Sequence, residues 1–191
     1  GKSTMIMQHL KSNYADKSIA IYISLDEYLF EDLRLVNVVE SLYEIGYRYF
    51  YLDEVHRYAN WSKDLKLLHD TFNDIAIVFT GSSILDIYKG ESDLSRRAVL
   101  YDLPEMSFRE YLLFENVIDV ESIGLKKILV NHVEIATELS DIFNPITWFK
   151  KYLAVGAYPF YKKVKERYSF QLINILNMII ENDLPNLVKM D

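Results

Sequence analysis

Tyr49-Phe50-Tyr51-Leu52-Asp53-Glu54 decides how this chain is read, because four large, largely apolar side chains run without interruption into two adjacent carboxylates. An apolar run of that length reads as a strand buried on both faces, the kind found in a parallel sheet covered by helices. Acids placed at the C-terminal end of such a strand lie where open α/β sheets bind their ligands. The chain itself opens on Gly1-Lys2-Ser3-Thr4. That tetrapeptide is the tail of the phosphate-loop pattern G-x-x-x-x-G-K-[ST], in which backbone N–H groups cradle phosphates, the lysine reaches the outer phosphates and the hydroxyl holds Mg²⁺. Read alone, it is equally a surface turn entering a helix. The apolar strand with its acid pair, in the right order and at a domain-like spacing, favours the phosphate loop.

Working outward, Lys2 to Lys11 has helical spacing, with Met5, Ile6 and Leu10 able to share a side. Ser18 to Leu25 reads as a buried strand, Leu35 to Ile45 as a helix stopped by Gly46, and Tyr47 to Leu52 as the next strand. Trp61 to Phe72 carries a helical stripe behind a plausible N-cap, Asn60. Ile75 to Thr80 reads as another fully apolar strand, closing on Gly81-Ser82-Ser83. A short helix around Ile84 to Tyr88, a loop from Lys89 to Asp93 and a last strand over Ala98 to Leu103 complete an alternating α/β half.

Ser107-Phe108-Arg109-Glu110 has the spacing of a capping box and starts a further helix. Beyond Phe114 no apolar β-run occurs. Ile123 to Leu139, Pro145 to Val155 and Tyr168 to Asn182 instead show helical spacing, and Asn144-Pro145 sets a cap residue before a proline at the first helical position. The expected division is an α/β core over 1–114 and a small helical domain over 115–191.

Composition bounds the rest. Over 191 residues, half are hydrophobic and 26% charged, with no cysteine and a net charge of −7. Disulfides and cysteine-ligated metals are excluded, and an overall field that would coat nucleic acid is not present. His9, His56, His69 and His132 lack metal-ligand spacing. Arg96-Arg97 and the run from Lys162 to Arg167 are the local basic stretches, the second reading first as a solvated helix end. Fifteen Tyr and ten Phe read as packing of half-buried surfaces. No apolar run approaches the length of a spanning helix and no signal peptide heads the chain, so the expected setting is cytoplasmic, away from membranes.

The chemistry implied is phosphoryl transfer to water. Lys2 supplies compact positive charge and Ser3 the metal-ligand hydroxyl, with Thr4 the neighbour most easily confused with it. Asp53 is placed to hold Mg²⁺ and Glu54 to act as base or water-positioner; the alternative is a capping or solvated acid pair. Thr80 and Ser82 are placed to sense the outer phosphate, or else serve the turn at Gly81. Arg96 or Arg97 acts as a finger delivered to a neighbouring subunit's nucleotide, or as a surface salt-bridge partner.

Gly1-Lys2-Ser3-Thr4, Leu52 to Trp61, Phe79 to Ser83, Asp93 to Tyr101 and Met106 to Leu112 resemble the prokaryotic AAA-type ATPases of the AAA_14 family. Tyr152 to Tyr161 and Ile179 to Pro185 are similar to that family's region behind the core. The resemblance implies a P-loop NTPase sheet of the ASCE type with a helical lid, and ATP with Mg²⁺. On it, Gly1, Lys2, Ser3 and Thr4 match the phosphate loop, Asp53 and Glu54 the Walker B acids, Thr80 or Ser82 the sensor, and Arg97, or else Arg96, the arginine near the last strand. It also implies a first strand and loop glycines before Gly1 and a winged-helix-like part after Asp191. The chain is on that ground expected to be a fragment that binds ATP poorly or not at all. Three functions are open: a Mg-dependent ATPase acting as a conformational switch, a nucleotide-dependent module that binds a protein or DNA client with little hydrolysis, and a structural domain with a decayed site. A homo-oligomer is compatible with the first.

Overall fold

The run Tyr49 to Asp53 forms the middle strand of a parallel sheet. The computed structural model describes residues 1–14, 19–81, 94 and 96–183. Among them three strands, β1 (Ala20–Ser24), β2 (Tyr49–Asp53) and β3 (Ala76–Phe79), pair in the order β1-β2-β3. Ile23 lies opposite Leu52 and Ser24 opposite Asp53, while Leu52 lies opposite Phe79. The neighbours on both sides explain why β2 tolerates no polar residue before its end: Phe50, Tyr51, Leu52 and Asp53 are all buried.

Parallel strands need crossovers, and helices supply them. Helix α2 (Leu35–Glu44) links β1 to β2, and α3 (Trp61–Thr71) links β2 to β3. Both cover the same face, where Leu35, Val39, Leu65 and Leu68 pack with Phe50 and Leu52 in one apolar cluster. Burying side chains of this size stabilises the fold by about 2–3 kcal/mol each. Helix α1 (Lys2–Tyr14) lies on the other face. Its His9 and Tyr14 rings meet Tyr51 and Tyr49 at 5.8 and 4.9 Å between centroids. Alternation along β2 therefore sends Phe50 and Leu52 to one layer, and Tyr49, Tyr51 and Asp53 to the other.

The strand expected over Ile75 to Thr80 forms as β3, with Ala76 and Val78 exposed because α1 spreads over the tyrosines of β2 and leaves that side of β3 open. Two expectations fail here. Ala98 to Leu103 forms no strand. Val99 and Tyr101 are 76% and 84% exposed, as expected for an apolar run without a backbone ladder to join. Asn60 precedes α3 but makes no side-chain cap bond, since its backbone (φ −98°, ψ 13°) departs from the extended geometry that a capping side chain needs. The segments expected as a helix at 84–88 and a loop at 89–93, with Ser82 and Ser83, lie outside the described residues.

The chain divides into one unit of Gly1–Asp102 with the residues from Ile180, and a second of Leu103–Ile179. The second contains α4 (Phe108–Phe114), α5 (Leu125–Ile142), α6 (Pro145–Val155), α7 (Tyr161–Val164) and α8 (Tyr168–Met178). Helix α4, assigned from sequence to the core of 1–114, packs within this helical unit. Its capping box forms as the spacing implies, and the Asn144 side chain caps α6 at Thr147 N–H, 3.0 Å. No helix among the described residues is long and apolar enough to cross a membrane.

Candidate functional site

Asp53 sits at the C-terminal end of β2 with 2% of its surface exposed. A buried carboxylate is costly unless hydrogen bonds replace its water. Here the donors come from three elements. Tyr22 on β1 donates its hydroxyl to Oδ2 at 2.7 Å, Thr80 just after β3 donates to Oδ1, and the Glu54 N–H donates to Oδ1 at 3.2 Å. The Ser3 side chain, in the first turn of α1, is a further hydrogen-bond partner. Burial alone would raise the Asp53 carboxyl, but Ser3, Thr80, Tyr22 and the Glu54 N–H outweigh it and hold the group below the usual carboxylate range. Asp53 is therefore ionised near neutral pH.

Two residues far apart in sequence, Ser3 of the phosphate-loop pattern and Asp53, thus meet on one side of the sheet. Ser3 lies between half-buried Lys2 and exposed Thr4, and the Gly1 carbonyl accepts the Met5 N–H at 3.1 Å to open α1. A hydroxyl beside an ionised carboxylate is a set of hard oxygen donors, which suits Mg²⁺. Among the described residues no group of three or more His, Cys, Asp or Glu side chains could hold a metal. A Mg²⁺ ion at Ser3 and Asp53 would accordingly take its other ligands from phosphate and water, its usual habit.

Glu54 leaves the strand in a left-handed conformation, φ 55° and ψ 40°, which is uncommon for a residue with a side chain. The Val55 N–H donates to the Thr80 carbonyl at 2.9 Å and ties the ends of β2 and β3 together across this turn. The Glu54 carboxylate lies 3.4 Å from His56 Nδ1, on a largely buried ring. Arg57 pairs with Asp26 at 3.6 Å, so the turns after β1 and β2 are linked as well.

The arginines are placed differently. Arg97 forms a two-pronged pair with Asp70 of α3, at 2.8 and 2.9 Å, and this interaction holds Asp70 below the usual carboxylate range. Arg96 is exposed. Neither is brought to Asp53 by any contact described.

Sequence reading missed two residues. Tyr22 was legible only as a strand residue, although a phenol in the aliphatic run Ile19 to Ile23 was the available signal, since a buried tyrosine seeks a partner for its hydroxyl. Burial first, then the bond to Asp53 and the surrounding negative charge, push its phenol up to about 12. Asp64 on α3 is the other buried charged residue among those described. Its Oδ1 accepts Arg34 Nη2 and Nε at 3.0 and 3.3 Å, and its Oδ2 accepts the Tyr58 hydroxyl at 2.8 Å. Those bonds pin α3 to the segment entering α2, and Asp64 belongs to the scaffold.

The family model of the AAA domain, AAA_14, matches residues 1–112. An uncharacterized protein of Methanocaldococcus jannaschii is 31% identical over 204 residues, an alignment covering all of this chain and 43% of that protein. The chain thus spans less than half the length of that relative. No solved structure matches. The match over more than half of the chain, together with a parallel sheet flanked by helices, establishes that the protein belongs to the AAA_14 family of AAA domains.

Proposed function

We propose that this AAA domain binds ATP with Mg²⁺ and hydrolyses it, with Leu103–Ile179 as its helical lid and turnover acting as a conformational switch on a client. The observation that carries this reading is the meeting of Ser3 and Asp53 on one face of the sheet, with Glu54 directly after Asp53. Lys2 would neutralise phosphate charge, Ser3 and Asp53 would hold the metal with its water, and Glu54 would orient the attacking water. Thr80 sits against Asp53 and beside the expected outer phosphate, the position of a sensor. Because Arg97 is bound to Asp70, exposed Arg96 is the better candidate for reaching a neighbouring subunit.

The test is Mg-dependent ATP hydrolysis by the full-length protein beside its Glu54→Gln and Arg96→Ala variants. Glu54→Gln is expected to lose roughly 10²-fold or more in turnover while retaining bound ATP, the effect of removing a general base. Arg96→Ala should slow turnover at unchanged ATP affinity. Tight ATP binding without turnover in wild type and variant alike would replace this reading with the nucleotide-dependent binding module. The proximity of Glu54 to His56 is the observation that keeps that second reading in view, since a carboxylate engaged there is turned to a partner other than water.

A further inference from the structure

We propose that Tyr22 is a positioning residue of the metal site, fixing the plane of the Asp53 carboxylate through its hydroxyl. The inference rests on the assignment of Asp53 to Mg²⁺ and adds a residue from a strand to which that assignment gives no role.

The register explains how Tyr22 reaches its partner. Tyr22 is paired with Tyr51, and Ser24 with Asp53, so Tyr22 and Asp53 project from the same face of the sheet, toward the layer containing α1. From one step diagonally behind Asp53, the long phenol brings its oxygen to 2.7 Å from Oδ2. Shorter hydroxyl side chains at position 22 would fall short of that oxygen. Thr80 and the Glu54 N–H take Oδ1 from the other side. Each carboxylate oxygen thus has its own donor, one from each neighbouring strand or turn, and rotation of the carboxylate about its last bond would break both sets together.

This matters for a metal more than for the fold. An ionised carboxylate offers about four lone-pair positions, and donors on Tyr22, Thr80 and the Glu54 N–H account for three of them. The Ser3 hydroxyl is the partner left for the fourth, and a Mg²⁺ held by Ser3 and Asp53 would enter there in place of that hydrogen bond. Mg²⁺ demands near-ideal octahedral geometry, so a carboxylate free to rotate binds it less well than one already oriented. Outer-shell partners of metal ligands commonly change metal affinity 10- to 100-fold when removed.

The experiment uses the full-length protein, Mn²⁺ as a paramagnetic probe in place of Mg²⁺, and a non-hydrolysable ATP analogue. Mn²⁺ affinity is measured by electron paramagnetic resonance in wild type, Tyr22→Phe and Tyr51→Phe. Tyr51→Phe removes a phenol from the same face, next to Tyr22 in register, and controls for general loosening of that layer. The expected result is Mn²⁺ affinity reduced about 10-fold in Tyr22→Phe. Metal-free binding of the analogue and the thermal midpoint should stay near wild type, and Tyr51→Phe should retain wild-type Mn²⁺ affinity. Unchanged Mn²⁺ affinity in Tyr22→Phe overturns the inference while leaving the ATPase reading intact. Equal losses in both variants, or a loss that follows a fall in thermal midpoint, reduce Tyr22 to a packing residue. Absence of nucleotide-dependent Mn²⁺ binding in the wild type removes the ATPase reading, and this inference with it.

Discussion

The sheet-bearing unit and the helical unit solve the same packing problem with different chemistry. In Gly1–Asp102 an aliphatic cluster surrounds β2, and two carboxylates, Asp53 and Asp64, are buried and held by donors from other elements. In Leu103–Ile179 the buried residues are Tyr111, Leu112 and Tyr168, set in a chain of rings. Phe108 meets Phe149 edge-on at 5.3 Å, Tyr111 meets Tyr152 at 5.4 Å, and Phe160 meets Tyr168 at 5.1 Å. The polar atoms there are phenols at the rim: Tyr152 donates to the Met106 carbonyl at 2.7 Å, Tyr168 to that of Val155, and Tyr161 to Glu115. A buried ion ties several elements to one point and fails badly when a partner is lost. A ring network spreads the same stabilisation over many small contacts.

The largest effect that follows is at Asp64. Asp64→Ala leaves the Tyr58 hydroxyl without its acceptor and opens space in the core, and should cost about 3 kcal/mol in urea unfolding. Tyr168→Phe keeps the ring and deletes only its donor, so a loss of about 1 kcal/mol is expected. Equal losses at the two positions would break the comparison. The smallest effect sharpens it, at the capping box of α4. Ser107→Ala should cost about 0.5 kcal/mol at pH 7. Hydrogen bonds from the Ser107 side chain and backbone hold Glu110 below the usual carboxylate range. A lowered carboxyl contributes stability that is fully present above its ordinary value, near 4.3, and is lost as pH falls through the lowered one. The gap in thermal midpoint between wild type and Ser107→Ala should therefore narrow as pH drops from about 6 toward 3. A gap that stays constant over that range would assign the box's contribution to the serine alone.

Local physics made part of this legible in sequence. The apolar run of β2, the capping box at Ser107 and the cap at Asn144 depend on residues within a few positions of one another, and each forms as expected. What was not legible depends on distant partners. Tyr22 reaches Asp53, 31 residues away, only through the register of two strands. Asp64 reads as one more charge on an amphipathic helix until Arg34 and Tyr58 arrive from outside it. The run at Ala98 to Leu103 has strand composition, yet composition does not supply a neighbouring backbone. Asn60 has the right side chain on the wrong dihedral angles.

The left-handed turn at Glu54 sets folding against the chemistry proposed for that position. Glycine would occupy φ 55° without strain, whereas a residue bearing a Cβ gives up about 1 kcal/mol there. Laboratory evolution for heat resistance alone would be drawn to glycine at position 54, and the more robust protein it produced would have discarded the acid next to Asp53.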